Sequence, residues 1–259
     1  MIFICIFDNP NIFIMNRYTV IYKSVFVLAL AFVLFAFTEK LKNVPKKIVE
    51  KKEIVSVLKS SIDAKAEMVY NALQAKQFQL PKEECFEEAL KGFYSLKERG
   101  VVKNNILTLI DFSLSSNVKR LWIIDLSTNI VLFQTLVAHG RNTGDEYANN
   151  FSNTPESFKS SLGLYITGEV YNGKHGVSLK LDGLEKGLNS NARERAVVLH
   201  GADYVSESFI RNHKRLGRSQ GCPAVPVAEV SEIIEMIKGQ SCLFIYHPSI
   251  EAKHNRLFS

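Results

Sequence analysis

The sequence has no Cys-x-x-Cys pair and no cysteine or histidine cluster at zinc-binding spacing, which argues against a structural metal. No internal repeat and no low-complexity tract is visible, so a repeat architecture is set aside. The formal net charge of +6 is spread along the chain and falls short of the basic stripe that nucleic-acid binding requires, although it suits an anionic surface. An uninterrupted apolar run of membrane-spanning length is also lacking, since the run from Val25 to Phe37 is 13 residues against the roughly 20 that a helix needs to span a bilayer.

That run is nonetheless an address label. Arg17 and Lys23 precede it, the positive-then-apolar order of an export signal, so residues 1–38 read as a signal peptide or membrane anchor and the protein as exported, to the periplasm or cell envelope. Met15 makes a more ordinary initiator than Met1 for such a signal. Four cysteines occur, at 5, 85, 222 and 242. Cys5 lies ahead of the expected mature chain, which leaves three, and an odd count in an oxidising compartment leaves at least one thiol free or paired between chains.

With 259 residues and 46% hydrophobic composition, one substantial core plus an appendage is expected. Residues 39–60 are lysine-rich and read as a linker running into a helical region that ends at residue 100. Residues 53–77 are mostly helix-compatible. Pro81 then opens a second helix, 82–99, closed by Gly100, with Cys85, Phe86, Ala89, Leu90 and Phe93 recurring on one face. From 101 to 250 the period changes to two. Strands are predicted at 106–112, 119–126, 130–138, 163–171, 176–181, 196–200 and 242–246, with one helix at 226–238. Cys85, Cys242 and Trp122 are expected in the core.

A catalytic thiol must become a thiolate, and an ordinary cysteine, with a pKa of about 8.5, needs a basic partner near neutrality. Cys222 follows Gly221 in a tight polar turn, with Pro223 and Pro226 behind it at a helix start. Successive amides there suit a thiolate or a developing oxyanion. Three histidines compete as base. His139-Gly140, His175-Gly176 and His200-Gly201 each end or begin a predicted strand, and local pattern alone does not choose among them. His200 has the best context, at the end of the apolar run Ala196-Val-Val-Leu199. The basic segment Arg211, His213, Lys214, Arg215 reads either as a lid over an anionic ligand or as a solvated loop.

Gly163-Leu-Tyr-Ile, His200-Gly201 and Leu216-Gly217-Arg-Ser219-Gln-Gly221-Cys222, in that order, resemble the murein L,D-transpeptidase catalytic domain, often called YkuD-like. Seventeen residues separate Gly201 from Ser219, an interval similar to the family's own. The resemblance covers roughly residues 101–248 and also touches Asp125, His139-Gly140, Lys174-His-Gly176 and Gly201-Ala-Asp-Tyr204. It implies a mainly β fold (α+β overall), a β-sandwich catalytic domain with a helical N-terminal extension. Cys222 is then the nucleophile, His200 its base and the Gly201 carbonyl the group that orients the imidazole, while Ser219 and Gly221 shape the loop and the oxyanion pocket. Arg218, Gln220, His175 and Gly163 become candidate substrate contacts. Many members carry His before the motif glycine and Arg or His-Asn after the cysteine, where this chain has Gln220, Pro223 and Ala224. The implied substrate is a peptidoglycan tetrapeptide stem, with an amine, a lipoprotein lysine or water as acceptor, and no metal or organic cofactor. A wall-binding module without turnover and an exported cysteine peptidase stand as the alternatives.

Overall fold

The structure is a computed structural model and describes residues 64–250. The signal segment, the lysine-rich stretch and the first part of the expected helical region lie outside the described residues. Among those described, no helix is long and apolar enough to cross a membrane.

The period-two half of the sequence forms eight strands: β1 (Ile106–Asp111), β2 (Leu121–Asp125), β3 (Ile130–Thr135), β4 (Gly163–Gly173), β5 (Gly176–Gly183), β6 (Val198–Gly201), β7 (Ala224–Val225) and β8 (Cys242–Tyr246). Besides helical residues 64–71, the helices α1 (Glu83–Glu98), α2 (Glu207–His213) and α3 (Val230–Ile237) accompany them. The strands make one sheet in the order β3-β2-β1-β8-β4-β5-β6-β7. Only β1 with β8 and β6 with β7 run parallel. Beyond β3 the chain continues to Ala138, which pairs with Ala224 of β7 through two hydrogen bonds of 2.8 and 3.3 Å. The sheet is thereby curled until its first and last strands meet. The two layers expected of a sandwich are two halves of this single ring.

α1 forms where the sequence pattern places it, and its buried stripe of Cys85, Phe86, Ala89, Leu90, Phe93 and Leu96 lies against β1 and β8. Each of the larger side chains stabilises the fold by about 1.5–3 kcal/mol through burial. α1 and the sheet share one hydrophobic core, to which α3 adds Val230, Ile233, Ile234 and Ile237. Cys242 and Trp122 are buried as expected.

Two local expectations change, and one strand had no counterpart among them. Helix is present over residues 64–71 and not beyond, because the Gln74 backbone pairs with the β3 edge instead, accepting from Val131 N–H and donating to Asn129. The basic segment near 211 is α2, N-capped by Ser206, whose Oγ accepts the Phe209 N–H at 3.3 Å. Its Arg211 and His213 stand exposed at the helix C-terminus, where cations suit the helix dipole, and neither lines the cleft described below. β7 is two residues long, shorter than any periodic signal.

Candidate active site

The loop that carries the candidate nucleophile Cys222 is built by its own short contacts. Ser219 Oγ accepts the Gly221 N–H at 3.0 Å and donates to the Cys222 carbonyl at 2.6 Å, closing a tight turn. Gly221 sits at φ 128°, a backbone conformation that side chains rarely adopt, and a Cβ there would come within 2.9 Å of the Lys159 carbonyl. The glycine is required, but its amide is committed to Ser219. Gly221 and Ser219 thus shape the loop through each other.

Two corners suspend this loop. On one side, Ser219 N–H donates to the His139 carbonyl at 3.0 Å, and the Ser219 carbonyl accepts from Arg141 N–H at 2.8 Å. On the other, β7 runs beside β6 with His200 opposite Ala224, and His200 N–H donates to the Pro223 carbonyl at 3.4 Å. That pairing sets Cys222 beside Val198, whose N–H reaches the Cys222 sulfur at 3.5 Å. A small cluster of Leu136, Ala138, Ala202, Val205, Leu216 and Ala224 forms a separate apolar packing around this junction.

Cys222, His200, Ser219, Arg218, Gln220 and His175 all line one cleft of about 730 Å³. Gly163 does not. It is packed against Glu185, Leu188 and Asn189 at the start of β4, so its candidacy as a substrate contact is corrected to a structural position. Gly201 lies behind the wall, where its carbonyl is 2.9 Å from His200 Nδ1. With Nδ1–H donating to that oxygen, Nε2 is left as the basic nitrogen. His175, at the tip of the β4–β5 hairpin, stacks on His200 with centroids 4.4 Å apart and planes at 25°.

The electrostatics favour neutral partners at rest. Burial lowers the His200 pKa, the Gly201 carbonyl opposes this, and the charges of His175 and Lys174 lower it further. Burial raises the Cys222 pKa, against the Val198 N–H and the charges of Arg195 and Lys174. A thiolate at Cys222 therefore requires a base to take its proton. Lys174, Arg195 and Arg218 face a single carboxylate among the lining residues, Glu156, so the cleft attracts anions. Arg218 is partly engaged already, its Nη1 donating to Asp145 at 2.7 Å and to the Gly144 carbonyl at 3.0 Å.

Sequence reasoning gave no role to Arg195 or Tyr204. Arg195 lies in a turn with no periodic signal, between Arg193 and β6. Tyr204 stood within the Gly201-Ala-Asp-Tyr204 match, which was the one available hint. It also lines the cleft, and burial first, then the neighbouring Cys222, pushes its phenol up to about 12, which keeps it a proton donor near neutrality.

A family model, the L,D-transpeptidase catalytic domain, matches residues 77–246, well over half of the sequence. The chain belongs to this family. The family match takes in α1 as well as the whole sheet. No curated protein matches the chain. Among solved structures, it is similar to an L,D-transpeptidase from Mycobacterium smegmatis at 10% identity, over 55% of this chain and 59% of the other, with a TM-score of 0.34. It is also similar to the helical cell shape determining protein Pgp2 from Campylobacter jejuni, as its K307A mutant, at 14% identity over 59% and 53% with a TM-score of 0.39. An L,D-transpeptidase (Yku) from Stackebrandtia nassauensis matches at 12% identity over 70% and 89%, with a TM-score of 0.34. The chain thus spans a little over half the length of the first two.

Proposed function

We propose that this member of the L,D-transpeptidase family is an exported enzyme that acts on peptidoglycan tetrapeptide stems through a Cys222 thioester. The observation that carries the reading is the His200 ring, fixed by Gly201 through Nδ1 and lining the same cleft as the Cys222 thiol.

His200 Nε2 takes the proton from Cys222 Sγ, and the sulfur attacks the carbonyl preceding the terminal D-alanine. The oxyanion that forms is assigned to the Cys222 amide and the Tyr204 hydroxyl, since Gly221 N–H is bonded within the loop; one such donor is typically worth about 2.7–4 kcal/mol. As the intermediate collapses, the C–N bond breaks and the leaving amine takes the proton from the His200 imidazolium. D-alanine departs and the remaining stem stays on sulfur as a thioester. An acceptor amine or water then attacks that thioester, giving its proton to His200, and the sulfur leaves with the proton returned. Transfer to a neighbouring diamino acid makes a cross-link, transfer to a lipoprotein lysine tethers it, and water gives L,D-carboxypeptidase activity. Lys174, His175, Gln220 and Arg218 form a largely cationic rim suited to the stem's carboxylates. No metal or organic cofactor enters these steps.

The purified protein is expected to release D-alanine from tetrapeptide muropeptides, and Cys222→Ala to release none. Product mass spectrometry reads both, and persistent release by the variant would overturn the assignment.

A further inference from the structure

Arg195 ends the turn that leads into β6, half-buried in the cleft wall. Its Nη1 donates to the Ser152 carbonyl at 2.9 Å and to Ser161 Oγ, and its Nη2 to the Lys159 carbonyl at 2.6 Å and to Ser157 Oγ at 3.4 Å. All four acceptors are neutral oxygens. Among the described residues no carboxylate pairs with this guanidinium, whereas its neighbours are compensated: Arg193 pairs with Asp182 and Glu169, and Arg218 with Asp145. A cation withdrawn from water without an anion is costly, so such a group is seldom kept unless an anion visits it.

The visiting anion is close at hand. Arg195 Nη2 stands 3.4 Å from where a Cβ on Gly221 would be, directly beside the nucleophile. The ionisable groups coupled to its charge are Tyr165 and Cys222, and Tyr165 is a fully buried phenol whose pKa is raised. We propose that Arg195 is the positioning residue that stabilises negative charge on Cys222 Sγ, while its four bonds tie the 152–161 segment beneath the nucleophile loop. The inference rests on the reading of Cys222 as the nucleophile. Sulfur is anionic twice in that cycle, once after His200 takes its proton and again when the thioester breaks and the thiolate leaves. A fixed positive charge favours both moments.

The other groups facing Cys222 are Lys174 and His175 from the hairpin tip, His200 on β6, Tyr204 beyond it, Arg218 on the nucleophile's own loop, and Glu156 across the cleft. Lys174 is exposed and screened by solvent, and Arg218 is paired with Asp145. Arg195 alone among these cations is both held in place by four bonds and without a carboxylate.

The test follows the pH dependence of iodoacetamide alkylation in the full-length protein, read at Cys222 by peptide mass spectrometry. In Arg195→Gln the midpoint is expected to rise by about one pH unit, as loss of a nearby opposite charge predicts. The rate above the midpoint should also rise, because a less stabilised thiolate is the better nucleophile. Arg195→Lys, which keeps the charge but loses the fork, should return the midpoint to near the parent value. Ser161→Ala, which removes a tether and no charge, should leave it unmoved. An unmoved midpoint in Arg195→Gln, or a midpoint in Arg195→Lys displaced as far as in Arg195→Gln, overturns the proposal. Should Arg195→Gln not fold, the nitrogen-15 resonance of Arg195 Nε decides: it must follow the Cys222 midpoint in the parent and lose that step in Cys222→Ala, and an Arg195 signal without the step in the parent is equally fatal. Alkylation needs no turnover, so an absence of D-alanine release by the parent sinks the proposed function without touching this result.

Discussion

Two His-Gly corners hold the nucleophile loop, and they do opposite jobs. His139 and His200 each follow an apolar run, each precedes a glycine, and each anchors one end of the 219–224 segment through its backbone. Their side chains part company. His139 is sealed in, with Arg120 Nη2 at 2.8 Å from Nδ1 and the Gly144 carbonyl at 3.3 Å from Nε2. Burial and the fully buried Arg120 push its pKa down to about 3, so it is a neutral structural group with both nitrogens committed. His200 spends one nitrogen on Gly201 and lines the cleft. What separates a candidate base from a structural histidine is a ring nitrogen left unspent, which no local sequence pattern records.

The sharpest way to break the comparison is to remove each ring in turn. His200→Ala should lower D-alanine release by about 10²- to 10⁴-fold, the usual range for a lost general base, with little change in thermal stability. His139→Ala should reverse the pattern. It strips the partner from a buried guanidinium and opens a cavity, so a loss of about 2–4 kcal/mol in chemical denaturation is expected, with release per folded molecule falling far less. If His200→Ala unfolds the protein and His139→Ala silences it, the two roles have been exchanged.

A smaller effect lies in the acid dependence of stability. With a folded pKa near 3 against an ordinary 6.5, His139 stays neutral in the native state while the unfolded chain takes up a proton across that window. Stability at this site is therefore fully present above about pH 6.5 and is lost toward acid, by up to about 1.4 kcal/mol per pH unit. Thermal unfolding between pH 4 and 7 should show a shallower slope in His139→Gln, and an identical slope would mean that the ring is not held neutral.

The smallest effect concerns His200. The Lys174 charge contributes to lowering its pKa, so Lys174→Gln should move the acid limb of the D-alanine release profile slightly toward neutrality. The exposed position of Lys174 limits the shift to about half a pH unit or less. A limb that moves the other way would place Lys174 elsewhere than beside the imidazole.

Much of the scaffold was legible from periodicity. β8 begins and ends where the alternation of Cys242 to Tyr246 places it, and α1 differs from its expected span by a residue at each end, because a long apolar stripe and a proline-glycine bracket both mark it. The candidate nucleophile Cys222 and its candidate base His200 were singled out through an ordered resemblance, and both line the one cleft. What stayed hidden depends on contacts between distant segments. Arg195 matters through oxygens contributed by residues 152–161, and Gly221 donates to Ser219 because of a turn that only the closed loop creates. The pairing of Gly163 with Glu185 and Asn189 is of the same kind, since it joins β4 to a segment twenty residues away that carries no strand signal.

A ring of strands has to be joined somewhere, and here the join is Ala138 with Ala224, two residues past the cysteine. The Ala138 join and the His139 contact to Ser219 fix one flank of the cysteine loop, while the pairing of β6 with β7 fixes the other. On the proposed reading of Cys222 as the nucleophile, competence to acylate therefore depends on a contact between the two ends of the strand ring, and not on the cysteine's own loop alone.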